Sequence, residues 1–284
     1  MSFVLQIYDN FHYRDESEAH SGGVFESFRE AKLAAEQIVE ASLRDLYTPD
    51  LSELLSRYQT FGDDPVIKTT GESYFEESFS GRNYAKEAVF GIWREKTDLQ
   101  TIYQATIRFA AEKHLGQTLP ASDLPYLLHI SNVAMEIALA EKTVATFDTK
   151  LAIQLALLHD TLEDTQTSET ELSETFGRTV AEGVWALTKD ATLPKADQMA
   201  DSLQKIRRAG AEASAVKMAD RITNLQAPPS SWSAAKIQQY RAEAQIILEE
   251  LGASHPSLAH RLGEKIAAYT GVSRVCQGDG VNVT

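Results

Sequence analysis

The chain has 284 residues, a formal net charge of −14, 43% hydrophobic residues and 24% charged residues, which is an ordinary composition for a soluble globular protein. No apolar run approaches the roughly 20 residues that span a bilayer, and acidic residues follow the N-terminus too early for a secretory signal. The acidic balance disfavours bulk nucleic acid, because duplex binding depends on neutralising phosphates. With Cys276 as the single cysteine, no internal disulfide is available, so we expect a cytoplasmic protein without a membrane partner.

Residues 1–97 differ from the rest of the chain in their sequence pattern and hold 10 Lys and Arg against 18 Asp and Glu. The pattern predicts a small α+β module. Apolar periodicity and turn residues give its elements in chain order: a strand at 3–8, a loop containing SGG at 21–23, a helix at 27–46, a helix at SELLSRYQ, a turn at GDDP (62–65), a strand at VIKT and a helix at SGRNYAKEAVFGIW. The segments DNFHY, FGDDP and YAK resemble small stand-alone bacterial proteins that have no assigned activity. The module's role stays open between a lid, a surface for a protein partner or homo-oligomer, and an inert passenger.

From Asp98 onward the pattern is almost wholly helical, and it predicts a helical bundle over residues 98–270 followed by a flexible tail at 271–284. The fold class is therefore mainly α, with the bundle preceded by the α+β module. The predicted helices lie near 98–114, 126–141, 148–160, 168–176, 178–188, 195–209, 212–226, 234–251 and 256–269. Ser168 with Glu171 predicts a capping box, and Gly177 predicts a stop between two short helices.

Ionisable residues end an apolar helix at LALLHDTLEDT (155–165). The preceding residues are apolar on nearly every side, which places the helix inside a bundle. An isolated charge buried there is costly unless it is paired or bound to metal, so His159 and Asp160 need a partner. If the helix continues, Glu163 and Asp164 share neighbouring faces with them, which suits a metal with carboxylates beside its bound water. The alternative is that the HD pair closes the helix and the later acids are solvated.

Two further residues belong to apolar helical patterns. His129 lies in PYLLHISNVAMEIA, and Asp220 lies in AVKMADRITNL. A histidine such as His129, taken alone, is more often a satisfied core histidine than a ligand. An aspartate such as Asp220, taken alone, is more often paired with a neighbouring cation, here Lys217 or Arg221.

Taken together, the residues have a recognisable order: a histidine, an HD pair 30 residues later and an aspartate 60 residues after that pair. This order resembles the HD phosphohydrolase superfamily, an all-α fold that holds a divalent metal. Further matches resemble the RelA/SpoT-type alarmone hydrolases, namely HDTLEDT, KHLGQ (113–117) followed by PYLLH, TKD (188–190), LPK (193–195) and VKMADRITNL. Because no synthetase domain follows, the resemblance is to the small, hydrolase-only members. These split the pyrophosphate from the 3′ position of (p)ppGpp with Mn²⁺.

The resemblance implies a role for each matching residue. It makes His129, His159, Asp160 and Asp220 the ligands of one divalent metal, most simply Mn²⁺. Glu163 and Asp164 match the acidic pair that positions or deprotonates the attacking water.

Residues that contact the nucleotide are implied less directly. Asn224 matches a polar contact to the nucleotide, and Lys113 matches a basic position beside it. Further candidate substrate contacts are Tyr126, Lys189, Lys195, Lys217 and Arg221. For Tyr126 the alternative is core packing, for Asn224 an exposed helix amide, and for the last four basic residues a solvated surface.

Two departures from the alarmone hydrolases leave the nucleotide open. The basic run that usually follows KHxGQ is TLPASDL here, and the proline after the first metal-binding histidine is Ile130. We therefore carry two alternatives to (p)ppGpp hydrolysis. One is an HD phosphohydrolase for another nucleotide, such as a dNTP, a nucleoside monophosphate or a phosphorylated dinucleotide. The other is a nucleotide sensor without turnover, although a pure sensor has no need of the acidic pair.

Overall fold

The structure is a computed structural model that describes residues 2–12, 15–70, 78–120, 122–141, 145–229 and 231–269. The predicted flexible tail at 271–284, with Cys276, lies outside these residues. The chain divides into two compact units. The first holds Met1–Ile102 and Ser173–Arg178, and the second holds Tyr103–Leu172 and the described residues from Thr179 onward.

The first unit contains a three-stranded antiparallel sheet with β1 in the middle, flanked by β2 and β3. The strands are β1 (Phe3–Asp9), β2 (His20–Phe25) and β3 (Asp63–Thr69). Phe3, Leu5 and Ile7 of β1 are buried, so one face of the central strand lies in the core, as alternation predicts. The strand predicted at 3–8 is confirmed.

Two predicted connections in this unit are wrong, because the sheet extends into them. The SGG segment lies in β2, where a Cβ on Gly22 would come within 2.8 Å of Leu5 Cγ. The glycine permits this close approach, although glycine disfavours strands in general. The GDDP segment is a strand from Asp63 onward, and it includes Pro65, which is tolerated because β3 is an edge strand.

Three helices complete the first unit, namely α1 (Phe28–Asp45), α2 (Leu51–Phe61) and α3 (Gly81–Lys96). Ser27 and Glu30 form a reciprocal capping box at the start of α1, and Asp50 caps α2 through the amide of Glu53. The helices share one apolar core, made by Val39, Leu43, Leu54, Tyr58, Ala85, Val89 and Ile92. The mixed α+β character predicted for this part of the chain is confirmed.

The remaining chain is helical, as predicted. Its helices are α4 (Leu99–Lys113), α5 (Leu127–Leu139), α6 (Thr149–Leu158), α7 (Thr161–Asp164), α8 (Glu169–Phe176), α9 (Arg178–Leu187), α10 (Gln198–Ala209), α11 (Ala211–Asn224), α12 (Ala234–Leu251) and α13 (Pro256–Ala268), with a 3-10 turn at Gly252–Ser254. Ser168 accepts a hydrogen bond from the amide of Glu171, which is half of the predicted box, while the Glu171 carboxylate pairs with Lys113. Gly177 ends α8 with a positive φ of 88°.

Helix α11 is central to the second unit, because it packs against α5, α6, α10, α12 and α13. Its residues Val216, Met218, Ala219 and Ile222 are buried. Helix α6 is buried from Ala152 to Leu158, which agrees with its apolar character on all sides. Among the described residues, no helix combines the length and the hydropathy that a membrane crossing requires.

Candidate metal-dependent active site

Three helices of the second unit each bring one buried side chain to a common point. His129 comes from the first turns of α5, His159 from the end of α6, and Asp220 from the buried side of α11. The Nε2 atoms of the two histidines lie 3.4 Å apart, and Asp220 Oδ1 lies 3.5 Å from His129 Nε2. One ligand atom from each residue falls within 4.8 Å of the others, and among the described residues this is the single group of such donors.

Asp160 adjoins this group because the backbone turns directly after α6. The predicted helix at 148–160 ends at Leu158, and α7 begins at Thr161, so His159 and Asp160 occupy the turn. Asp160 Oδ2 lies 2.8 Å from His159 Nε2 and 3.7 Å from His129 Nε2. The amide of Asp164 donates to the carbonyl of Asp160, which continues the helical direction and keeps the later acids nearby.

Hydrogen bonds to the outer sides of these residues fix their orientation. His159 Nδ1 lies 2.9 Å from the carbonyl oxygen of Ala156, which can only accept, so Nδ1 carries a proton. In the neutral ring, Nε2 then holds the lone pair that faces the cluster, as in a metal-binding histidine. The hydroxyl of Tyr126 donates to Asp160 Oδ2 at 2.5 Å, and the amide of Asn224 donates to Asp220 Oδ1 at 2.5 Å.

The electrostatics of the cluster favour carboxylates that stay ionised in a buried place. Burial opposes ionisation, but His159 lowers the pKa of Asp160, and Lys217 together with the histidines holds the pKa of Asp220 well below its usual range. Burial also disfavours imidazolium, yet Asp160 and then Asp220 raise the pKa of His159 to about 9. Burial and Asp160 raise the pKa of Tyr126, which keeps its hydroxyl protonated as a donor.

This donor set fits a divalent metal. Imidazole nitrogen and carboxylate oxygen are common ligands of transition metals, and a lone buried carboxylate without a cation is unfavourable. The tautomer of His159 and the donors to Asp160 and Asp220 orient the lone pairs inward, which is the outer support that metal ligands normally have. A metal bound here would displace the proton of His159. The predicted divalent metal site is therefore supported by the geometry.

A cavity of about 210 Å³ opens beside the cluster. It is lined by Leu119, Pro120, Tyr126, His129, His159, Asp160, Glu163, Asp164, Leu187, Lys189, Lys217, Asp220 and Asn224. Glu163 and Asp164 lie on its solvent-exposed side, because α7 carries them past the buried turn. The cavity thus places the carboxylates of Glu163 and Asp164 near the candidate metal ligands, as the activation of a water molecule requires.

The structure separates the predicted substrate contacts into two groups. Tyr126, Lys189, Lys217 and Asn224 line the cavity. Lys189 Nζ lies 3.0 Å from Glu163 Oε1, and Lys217 Nζ donates to Asp220 Oδ2 at 3.1 Å. Both cations therefore stand beside carboxylates of the site, where they offset negative charge.

The second group does not line the cavity and consists of Lys113, Lys195 and Arg221. Lys113 Nζ pairs with Glu171 Oε1 at 2.5 Å and lies 5.1 Å from the ring centre of Phe109. Arg221 is buried, with its guanidinium 4.2 Å from the ring centre of Tyr240. Lys195 is exposed. None of these three residues lines the cavity, so their role in substrate binding stays a prediction.

Sequence reasoning missed several residues at this site. Leu119, Pro120 and Leu187 give the cavity an apolar side, and Gln117 donates from Nε2 to Asp164 Oδ2 at 3.1 Å. The available signal was the segment KHLGQTLP, in which Gln117 ends a matched motif and two apolar residues follow shortly after. The chain turns after this segment and pairs with it just before α5, which places the segment at the cavity. The sequence did not predict this turn.

A helical bundle that directs buried imidazole and carboxylate donors to one point, with two further carboxylates at the cavity beside it, is a metal-dependent hydrolase. The family model described as HD domain matches residues 106–263. The chain belongs to the HD domain family, which confirms the resemblance drawn from the spaced histidines and aspartates. The resemblance of residues 1–97 to small bacterial proteins stays a prediction.

Relatives with named activities match more than half of the chain. A Danio rerio guanosine-3′,5′-bis(diphosphate) 3′-pyrophosphohydrolase, MESH1, is 35% identical over 162 residues, which cover 55% of this chain and 88% of that protein. An Aquifex aeolicus guanosine-3′,5′-bis(diphosphate) 3′-pyrophosphohydrolase is 34% identical over 163 residues, covering 56% of this chain and 21% of that protein. The solved structure of a metazoan ortholog of SpoT that hydrolyzes ppGpp has a TM-score of 0.52 at 24% identity, over 60% of this chain and 97% of that one, so the two share a fold.

Proposed function

We propose that this protein removes the 3′ pyrophosphate of (p)ppGpp, giving GDP or GTP and pyrophosphate, and that its metal is Mn²⁺. The observation that carries the proposal is the convergence of His129, His159, Asp160 and Asp220 beside a cavity that also holds the acidic pair Glu163 and Asp164. Relatives at 34–35% identity over more than half of this chain are named for the same hydrolysis. Such an activity belongs to the stringent response.

The side chains divide the reaction between them. The metal held by the two histidines and two aspartates would lower the pKa of a water molecule at the site. Glu163 or Asp164 accepts a proton from that water as its oxygen attacks the phosphorus next to the 3′ oxygen. The bond between that phosphorus and the 3′ oxygen breaks, the 3′ oxygen takes up a proton, and pyrophosphate leaves. Lys189 and Lys217 lie on the cavity wall, where their charge offsets that of the pyrophosphate group transferred to water.

The walls of the cavity also favour a second candidate, a hydrolase for a nucleotide with fewer phosphates. Leu119 and Pro120 line the cavity and belong to TLPASDL, the segment in which the resemblance to the alarmone hydrolases implies a basic run. Among the residues that line the cavity, Lys189 and Lys217 are the two cations, and each stands next to a carboxylate. A dNTP, a nucleoside monophosphate or a phosphorylated dinucleotide places less charge against this apolar side than ppGpp does.

Two further parts of the proposal concern surroundings. A cytoplasmic location agrees with a sequence that holds a single cysteine. Residues 1–97 remain a candidate surface for a protein partner or for a second copy of the chain, and their acidic balance favours a partner with exposed basic residues.

The test is turnover of ppGpp by the full-length protein with added Mn²⁺, resolved by anion-exchange chromatography beside Asp160→Ala and Glu163→Gln. GDP and pyrophosphate from the native protein, with both variants at least about 100-fold slower, is the expected result. If bound Mn²⁺ is verified and ppGpp stays intact while another nucleotide is cleaved, the second candidate replaces the first. If no nucleotide in the panel is cleaved although one binds, the protein is a sensor.

A further inference from the structure

Gln117 and His114 lie outside the metal ligands and the acidic pair, yet they connect with both. Gln117 Nε2 donates to Asp164 Oδ2 at 3.1 Å, and His114 Nδ1 lies 2.6 Å from Gln117 Oε1. His114 is 5% exposed, in the turn that follows α4. We propose that these two residues, the His114–Gln117 bridge, are positioning residues that hold the Asp164 carboxylate toward the attacking water. The inference rests on the proposed hydrolysis.

The chemistry of the three groups fixes the direction of every hydrogen bond in the bridge. An ionised Asp164 has only acceptor oxygens, so the nitrogen of the Gln117 amide must face it. The amide oxygen of Gln117 then faces His114, and His114 must carry its proton on Nδ1 to donate there. The reverse amide orientation would set two acceptors, the Gln117 oxygen and the Asp164 carboxylate, against each other. The bridge therefore selects a single tautomer of His114 and a single orientation of the amide.

The backbone holds the bridge in place independently of these side chains. The amide of Gln117 donates to the carbonyl of His114 at 3.0 Å, and its carbonyl accepts from the amide of Tyr126 at 2.9 Å. Gly116 has a φ of 82°, a conformation that permits the tight turn between them. Both backbone groups of Gln117 are thus hydrogen-bonded independently of its side chain. A donor that is already held in place lowers the entropic cost of orienting the Asp164 carboxylate.

A second contact joins the bridge to the metal ligands. The ring of His114 packs against the ring of Tyr126 with 5.2 Å between centres, and the hydroxyl of Tyr126 donates to Asp160 Oδ2. His114 therefore contacts one residue that orients Asp164 and another that orients Asp160. Asp164 itself is exposed and far less constrained by packing, so the bridge supplies the orientation that its surroundings do not.

The kinetic test compares Gln117→Leu, His114→Phe and His114→Asn in the full-length protein with Mn²⁺. Phenylalanine keeps a ring against Tyr126 but has no donor, whereas asparagine has an amide nitrogen close to the place of Nδ1. We expect Gln117→Leu and His114→Phe to lower kcat by about 10- to 100-fold with KM within about 2-fold and bound metal unchanged. We expect His114→Asn to recover most of kcat. A rise in KM at constant kcat, or a loss of bound metal, would overturn the positioning role.

A spectroscopic arm tests the bridge without any substrate. Proton and nitrogen NMR of the metal-free full-length protein, with ¹⁵N-histidine, reports which nitrogen of His114 is protonated. The expected result is an Nδ1–H signal that is absent from His114→Phe and exchanges at least about 10-fold faster with water in Gln117→Leu, because its acceptor is gone. An Nε2–H tautomer would overturn the bridge. If this arm succeeds while ppGpp is not cleaved, the proposed substrate is wrong and the bridge stands.

Discussion

Nε2 of His129 lies 3.5 Å from Oδ1 of Asp220, although the two residues belong to helices that are far apart in the chain. The contact exists because α11 packs directly on α5, with buried apolar residues on both sides of it. A metal that joins these two side chains therefore joins two helices of the core. Its binding energy then adds to the stability of the folded state.

Metal should raise the thermal stability of the native protein and leave Asp220→Asn unaffected. A ligand that binds only the folded state at 100 times its Kd contributes about 2.7 kcal/mol, which gives a shift of several degrees. Asparagine keeps the shape of the side chain but removes the charge that a metal requires. Thermal unfolding with Mn²⁺ and with a chelator measures the shift. Asp201→Asn, an acidic position on α10, serves as the control that keeps the native response, and a full shift in Asp220→Asn would contradict the ligand role.

Tyr126→Phe should weaken metal binding without unfolding the protein. The change removes a hydroxyl that donates to Asp160 Oδ2 at 2.5 Å and leaves the ring in place. Loss of such an outer hydrogen bond costs about 10- to 100-fold in metal affinity. Competition titration with a metal-binding dye measures the affinity. Tyr103→Phe, on α4 and outside the residues that line the cavity, is the matched control. Equal affinities in the two variants would show that Asp160 needs no support from Tyr126.

The sequence predicted those elements of the fold whose pattern of apolar residues depends on burial alone. The helix that precedes His159 is apolar on all sides, so its place inside the bundle was evident, although it ends at Leu158 and not at the predicted residue 160. The sheet was harder to predict, because Gly22 of β2 lies close to Leu5, a contact that only the pairing of β2 with β1 reveals. Pro65 likewise reads as a turn residue, and its tolerance depends on the place of β3 at the edge.

Only part of the site could be predicted from the sequence. The spacing of residues along helices predicts where buried metal ligands lie, but it does not predict the direction of long, exposed lysine side chains. His129, His159 and Asp220 face one point since helix packing leaves each a single direction. The orientation of a lysine side chain depends on the acidic residue with which it pairs in the folded protein. Lys113 pairs with Glu171, whereas Lys189 pairs with Glu163 at the cavity. The motifs KHLGQ and TKD, which hold the two lysines, do not contain these partner acids, so the motifs could not tell the two lysines apart.

Lys189→Met should lower kcat/KM by about 10- to 100-fold, and Lys195→Met should leave it within about 2-fold. Lys189 Nζ lies 3.0 Å from Glu163 Oε1 at the cavity, so its removal frees that carboxylate and deletes one of the two lysines on the wall. Lys195 is exposed and does not line the cavity. Steady-state kinetics on the nucleotide that the native protein cleaves in the turnover assay measures both variants. A comparable loss in both variants would mean that Lys195 reaches the nucleotide when substrate is bound.

Two glycine-to-alanine changes within the second unit should shift stability in opposite directions. A Cβ at Gly183 on α9 would lie 2.6 Å from Leu155 Cδ2, whereas a Cβ at Gly263 on α13 would lie 3.8 Å from Leu248 Cδ2, an ordinary contact. Alanine is favoured over glycine inside a helix by about 0.5–1 kcal/mol, so Gly263→Ala should stabilise by that amount. Overpacking costs about 1–3 kcal/mol, so Gly183→Ala should destabilise despite the same helical gain. Urea unfolding followed by circular dichroism measures both variants. Stabilisation by Gly183→Ala would mean that α6 and α9 move apart easily, and the buried helix that precedes His159 and Asp160 would then be less rigid than its packing indicates.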